Sequence, residues 1–155
     1  MQHVHREHRE RRNAAIHALV IVSAPSDPSK PTRTVFSSIR RGAEQLWFFV
    51  ESVPSADPRE AAMRGIWRVL GEALARRLTK LDVHVSEPEV ISIVERKQPA
   101  PEELGRWYIQ VRARCNQIGQ VRFVGVEKPA HGSTPRRRSR KKRELEPTLF
   151  DSAVA

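Results

Sequence analysis

The fold of this chain is decided by the stretch Leu81-Asp82-Val83-His84-Val85-Ser86-Glu87-Pro88. Apolar and polar residues alternate from Leu81 to Val85, which predicts a strand with one buried face. Beyond Pro88 the apolar residues recur at helical spacing, which predicts a short helix. Glu87 is therefore expected at the carboxyl end of a strand, where open α/β sheets usually place their chemistry.

Three strands are predicted in the first third of the chain. The continuous apolar run Ala18-Leu19-Val20-Ile21-Val22 predicts a buried central strand. Residues 34–39 and 45–50 predict two more, separated by a turn at Arg41-Gly42. The three strands are close enough in sequence to pair as an antiparallel meander.

Helices are predicted before and after the stretch quoted above. Asp57, followed by Pro58 and Glu60, predicts a capping box at the start of a helix that runs to about Leu78. Residues 102–117 predict a second long helix, and residues 121–126 a fifth strand. Helical crossovers imply that strands one, four and five are parallel, with the meander beside them.

The chain has 155 residues, enough for one domain, and a net charge of +10. Residues 14–127 hold 16 basic and 13 acidic side chains, a net of only +3, so most of the charge lies at the ends. We therefore divide the chain into a flexible polar arm (1–13), a nearly neutral domain (14–127) and a disordered basic tail (128–155). Without an apolar stretch long enough for a membrane span, we expect a cytoplasmic protein with no membrane contact.

The tail contains two distinct features. Its basic run consists of Arg136, Arg137, Arg138, Arg140, Lys141, Lys142 and Arg143. Such a run is expected to bind the phosphates of RNA, DNA or a hybrid without sequence preference, with an affinity that falls steeply with salt. Beyond it, Leu145, Leu149 and Phe150 form a short apolar peptide, which predicts either docking in a protein partner's groove or folding back onto the domain.

Aromatic residues and one histidine were further candidates for function. Trp47, Phe48 and Phe49 are consecutive, which favours a strand buried on both faces over one with an exposed interface. Trp67 lies opposite the apolar stripe of its helix, where it could stack on bases or pack against a partner subunit or an arm of the chain. His84 is predicted to be a hydrogen-bonded structural histidine.

The order of these elements resembles the ribonuclease H-like fold from about Ala14 to Glu127. That family commonly ends its fourth strand in Ser-Asp-Ser before a helix that begins Leu-Val or Val-Val. The segment Ser86-Glu87-Pro88-Glu89-Val90-Ile91 resembles this motif, with Glu in place of Asp. Glu60 matches the family's helix glutamate, although Met63 stands where alanine is usual. The resemblance implies an α/β fold with a mixed five-stranded sheet and flanking helices.

The resemblance also implies a carboxylate cluster that holds two divalent ions, Mg²⁺ or Mn²⁺, to activate water. The family's first ligand is an Asp near the end of strand one, where this chain reads Val22-Ser23-Ala24-Pro25. Its last ligand belongs to a helix after strand five, where residues 129–135 contain no acid. Glu60 and Glu87 alone remain as candidate catalytic residues and metal ligands.

We therefore expect a degenerate member of the family, a non-catalytic module that binds nucleic acid or a protein and needs no cofactor. One alternative is a divalent-metal-dependent nuclease that cleaves RNA or an RNA–DNA hybrid through Glu60 and Glu87, aided by Asp27 or Asp82. The other is a structural subunit that presents Trp67 or an exposed strand face to a protein partner.

Overall fold

The computed structural model describes residues 14–25 and 27–127. Within these residues the chain forms five strands, three helices and one 3-10 turn (Glu102–Leu104). The strands are β1 (Ile16–Val22), β2 (Arg33–Arg41), β3 (Glu44–Val53), β4 (Lys80–Val85) and β5 (Gln120–Gly125). The helices are α1 (Pro58–Ala75), α2 (Pro88–Val94) and α3 (Gly105–Ile118).

The strands form one mixed sheet in the order β3-β2-β1-β4-β5. β2 pairs antiparallel with both β1 and β3, whereas β4 pairs parallel with both β1 and β5. This confirms the predicted meander beside three parallel strands, with the apolar run of β1 at the centre. Among the described helices, none has the length and apolar character that crossing a bilayer requires.

The core lies between the helices and one face of the sheet. Leu81, Val83 and Val85 of β4 are fully buried on that face, as the alternating pattern predicted. α1 runs across β1 and β2 and approaches them closely at Gly65. A Cβ atom at Gly65 would lie 2.7 Å from the Cγ1 atoms of both Val20 and Val35.

α1 ends at Ala75, three residues before the predicted Leu78. Arg77 adopts a left-handed conformation with φ of 57°, which turns the chain out of the helix. The Leu78 N–H then donates to the Ala73 carbonyl at 3.0 Å, so that one of the last helical carbonyls is satisfied by the turn itself. A residue that carries a Cβ usually avoids this conformation, which is why the sequence did not reveal the stop.

The prediction that β3 is buried on both faces was wrong. β3 is an edge strand, and the side chains of Phe48 and Val50 are 57% and 55% exposed. Trp47 and Phe49 point to the helix side, where their rings stack at 6.2 Å and the Arg68 guanidinium lies 4.5 Å from the Phe49 ring centre. A run of aromatic residues is equally compatible with a central strand and an edge strand, and only the strand order separates the two.

Candidate functional site

The carboxyl ends of β1 and β4 are held together by the buried residue Ser86. Its hydroxyl oxygen accepts a hydrogen bond from the Val22 N–H at 3.0 Å. Its own N–H donates to the Val20 carbonyl at 3.1 Å. These bonds fix the next residue, Glu87, at the edge of the sheet beside the end of β1.

Glu87 occupies the N-cap position of α2 and is 8% exposed. The backbone at this position is extended, with φ of −110°, and Pro88 begins the helix directly after it. The partial positive charge of a helix N-terminus stabilises a carboxylate placed there. The sequence-based placement of Glu87 at the end of β4 is therefore confirmed, and its burial distinguishes it from the other acids of this edge.

Glu60 lies in the first turn of α1, but the predicted capping box is wrong. Asp57 does cap the helix, because its carboxylate accepts a hydrogen bond from the Arg59 N–H at 2.9 Å. Glu60 instead accepts from the hydroxyl of the buried Ser55 at 3.1 Å, and that same hydroxyl accepts from the Asp57 N–H at 3.2 Å. Ser55 stands between the two residues that a capping box would join directly.

The end of β1 is fixed by hydroxyl and guanidinium groups. The Ser23 hydroxyl accepts from the Thr34 N–H at 3.1 Å, and the Ser23 N–H donates to the Thr34 carbonyl at 2.9 Å. Arg33 donates through one guanidinium nitrogen to the Ser23 carbonyl at 3.4 Å and through another to the Ala56 carbonyl at 3.1 Å. The residue at the end of β1 is thus a serine whose hydroxyl and backbone are both bonded to β2.

Arg59 binds three carboxylates beside this edge. Its guanidinium lies 3.0 Å from Asp57, 3.2 Å from Glu89 and 3.3 Å from Glu103. The hydrogen bonds from Arg59 hold the pKa of Asp57 below its usual value. The sequence analysis missed this cluster because Glu89 and Glu103 reach Arg59 from distant parts of the chain, so that spacing alone gave no signal.

The two acids considered as additional ligands are engaged elsewhere. Asp27 is exposed in the loop after β1 and accepts two hydrogen bonds from Ser29, at 2.9 Å and 2.7 Å, which lower its pKa. Asp82 lies near the amino end of β4, where it binds Arg122 at 2.8 Å. Glu87 follows Asp82 by five residues along the chain, a distance of about 16 Å in an extended conformation.

His84 is hydrogen-bonded, as predicted. Its Nε2 lies 3.2 Å from Nδ1 of His17 on the neighbouring strand, and one ring donates while the other accepts. Burial, together with the neighbouring His17, lowers the pKa of His84. A protonated pair would leave this hydrogen bond without an acceptor.

Trp67, the candidate for base stacking, packs against other side chains of the same chain. The guanidinium of Arg114 lies 3.9 Å from the centre of the Trp67 ring and also donates to the Trp67 carbonyl. The edge of Trp107 meets the same ring at 6.0 Å. This half-buried cluster joins α1 to α3 and leaves Trp67 engaged on the side where Arg114 lies.

The remaining predicted site residues lie outside the described part of the chain. They are the basic run Arg136, Arg137, Arg138, Arg140, Lys141, Lys142 and Arg143, and the apolar peptide residues Leu145, Leu149 and Phe150.

Comparison with known proteins identifies the fold. No family model and no curated protein matches the chain. Solved structures do match: the N-terminal ribonuclease H domain of a Mycobacterium tuberculosis protein has a TM-score of 0.63 at 14% identity, covering 74% of this chain and 84% of that one. Ribonuclease H1 from the archaeon Halobacterium salinarum has a TM-score of 0.64 at 11% identity, covering 74% of this chain and 87% of that one.

A third match is LC11 ribonuclease H1, a protein isolated from compost and solved in complex with an RNA/DNA hybrid. Its TM-score is 0.64 at 10% identity, covering 73% of this chain and 86% of that one. At such low identities the similarity shows the fold alone. The chain has a ribonuclease H-like fold, which confirms the resemblance inferred from the order of its elements.

The residues of this edge do not fit a two-ion centre. Across residues 14–25 and 27–127, no three His, Cys, Asp or Glu side chains are grouped so that they could hold a metal ion. The residue at the end of β1 is Ser23, Glu60 is bonded to Ser55, and the neighbouring acids Asp57 and Glu89 bind Arg59. A guanidinium therefore supplies the positive charge beside this part of the sheet.

Proposed function

We propose that this chain is a non-catalytic ribonuclease H-like module that binds nucleic acid. The observation that carries the proposal is the serine at the end of β1, which bonds to the backbone of β2 where a metal-binding carboxylate would be needed. Water activation by two metal ions requires several carboxylates at one point. Glu60 and Glu87 provide only two, and Glu60 is bonded to Ser55.

The source of affinity in this proposal is the basic run of residues 136–143. The domain itself carries a net charge of only +3, whereas seven basic side chains lie within these eight positions. Lys and Arg side chains that neutralise phosphates release counterions from the nucleic acid, and this term is independent of base sequence. The fold supports nucleic acid as the partner, since one structural neighbour is solved in complex with an RNA/DNA hybrid.

Titration of a fluorescently labelled RNA–DNA hybrid with the full chain at several salt concentrations tests the proposal. If the seven cations each neutralise one phosphate, the logarithm of the association constant falls with log salt at a slope of about −6. Replacing all seven by glutamine should abolish most of this slope and weaken binding at low salt. Because seven charges are removed, the loss of binding affinity should be far larger than the loss from removing any single contact.

The matched control replaces three exposed cations of the domain, Lys30, Lys97 and Arg106, by glutamine. This variant should lower the salt slope slightly and retain most of the affinity. If the seven-fold variant binds the hybrid as tightly as the unaltered chain at every salt concentration, the proposal is wrong.

A nuclease remains the second candidate, because Glu87 is a buried carboxylate at the carboxyl end of a strand. It predicts cleavage of the hybrid in the presence of Mn²⁺, lost in a Glu60→Gln, Glu87→Gln double variant. Glu102→Gln, at an exposed acid of the 3-10 turn, serves as the control. Cleavage that disappears in the double variant and persists in the control would replace the binding proposal by the nuclease.

A further inference from the structure

The sheet has a second face that the described helices do not cover. α1 packs on β1 and β2 from the opposite side, at Gly65, and Ile91 of α2 approaches Gly125 of β5 from that same side. Side chains alternate along each strand, so residues paired across neighbouring strands share one face. The strand register therefore arranges the uncovered face into three parallel rows of side chains.

Two of these rows consist mainly of apolar side chains and one is charged. The first row contains Phe48, Ser38, Leu19, His84 and Val124; the second contains Val50, Phe36 and Ile21; the third contains Arg40, His17, Asp82 and Arg122. We call the three rows together the open face, and the third row its charged border.

The two apolar rows expose large hydrophobic side chains to solvent. Phe48 and Val50 are 57% and 55% exposed, and Leu19, Ile21 and Phe36 lie beside them, only half-buried. Contiguous apolar surface of this kind marks a place where another segment or molecule binds. The question is which occupant fits both the apolar rows and the charged border.

We propose that residues 144–151 of this chain cover the open face. Their sequence, Glu144-Leu145-Glu146-Pro147-Thr148-Leu149-Phe150-Asp151, combines three large apolar residues with three acids. The apolar residues match the two apolar rows. The acids match the charged border, where two arginines stand against the single carboxylate of Asp82.

The length of chain after β5 suits this contact. Val126 donates to the Val85 carbonyl at 3.0 Å, so the chain leaves the sheet beside β4 and β5. A chain of 17 residues, the length of 128–144, would have an end-to-end distance of about 23 Å if it behaved as a random coil, and five strands span about 19 Å. A tethered segment also binds at an effective concentration of the order of millimolar, which an independent partner rarely reaches.

Other occupants match the open face less well. A nucleic acid would find cations only at the border, because the two apolar rows contain none. The basic run of residues 136–143 would be repelled by Arg40 and Arg122. A second copy of the chain would bring the same positive border, so its pairing lacks the complementary charge that residues 144–151 provide.

Methyl NMR on the full chain with a nitroxide label tests the proposal. The label is placed at Ser152→Cys, since Cys115 is buried and burial raises the pKa of its thiol to about 11, which keeps it unreactive. The methyl signals of Leu19, Ile21, Val50 and Val124 should lose most of their intensity. The methyl of Ile109, which is 67% exposed on the helix side, should retain its intensity.

A Leu149→Ser, Phe150→Ser variant with the same label is the control, and its Leu19 and Ile21 signals should recover. A mixture of labelled, isotope-free chain with unlabelled, methyl-enriched chain separates the two modes of contact. Contact within one chain leaves the signals of the mixture unbroadened, whereas equal broadening in the mixture would assign the open face to a second copy and overturn the proposal. No broadening of Leu19 in any sample would also overturn it. These signals are recorded without nucleic acid, so the outcome is independent of the proposed function.

Discussion

At the scale of single residues, Gly65 sets how closely α1 approaches the sheet. The space where its Cβ would lie is taken by the methyl groups of Val20 and Val35, both at 2.7 Å. These valines are buried on central strands and cannot move aside without disturbing the pairing of β1 with β2. Nothing in the local pattern of the helix distinguished this glycine from Gly71, so only the packing reveals its role.

Gly65→Ala is expected to destabilise the protein by about 1–3 kcal/mol, because overpacking outweighs the better helix propensity of alanine. Gly105→Ala is the matched control, since no atom lies within 4 Å of a Cβ at that first residue of α3. The control should be neutral or stabilise by up to about 1 kcal/mol. Urea unfolding curves of the two variants measure the difference, and equal effects would contradict the close approach.

At the scale of elements, the sequence predicted best where the pattern is local. The alternation of Leu81 to Val85 gave β4 to within one residue, and Asp57-Pro58 marked the start of α1 correctly. Prediction failed for β3, because its exposure depends on the strand order and not on its own residues. The turn at Arg77 was equally invisible, since its conformation is imposed on a residue that rarely adopts it.

For the candidate site too, local features could be predicted from the sequence and contacts between distant residues could not. Glu60 and Glu87 could be placed from the helix starts next to them, and the lack of a carboxylate at the end of β1 was evident from the letters. The bonds that define the site could not be foreseen. Arg59 gathers acids from three elements, and Ser86 joins two strands that are far apart in sequence.

The contact between β3 and α1 includes a bidentate ion pair. Glu51 accepts from Arg68 at 2.7 Å and 3.0 Å and lies 3.0 Å from Arg64, and the Arg68 hydrogen bonds lower the pKa of Glu51. The Glu51 side chain is only 12% exposed. This contact anchors the edge strand, whose outer side has no neighbouring strand among residues 14–25 and 27–127.

Glu51→Gln should therefore cost about 1–3 kcal/mol, because two arginines lose a charged acceptor in a largely buried position. The control is Glu72→Gln, which breaks a more exposed pair with Arg76 one helical turn away and should cost about 0.5 kcal/mol or less. Thermal unfolding at low ionic strength compares them. Similar losses in both variants would show that the contact contributes no more than an ordinary surface pair.

At the scale of the whole molecule, the titrating groups predict how stability depends on pH. The folded state lowers the pKa of His84 below its ordinary 6.5, mainly through burial and then through His17. The unfolded chain therefore binds a proton first as the pH falls below 6.5, and the free energy of unfolding decreases. Near pH 4 and below, the lowered pKa values of Glu51, Asp57 and Asp82 remove further stability.

We expect the unfolding free energy to rise with pH across the range just below 6.5 and then to level off. In His84→Gln this rise should be absent, because the side chain cannot take up a proton, while the loss near pH 4 should persist. Urea unfolding at closely spaced pH values provides the measurement. A rise of unchanged size in the variant would assign it to a different group.

The exposed edge of β3 also affects how readily the protein aggregates. The segment Leu46-Trp47-Phe48-Phe49-Val50 has no charge and no proline, and an open edge of this composition can recruit identical strands into fibrils. Seven positive charges elsewhere on each copy oppose that stacking through mutual repulsion. Preparations shortened at residue 127 should therefore precipitate at low salt, where the full chain stays dispersed by its charge.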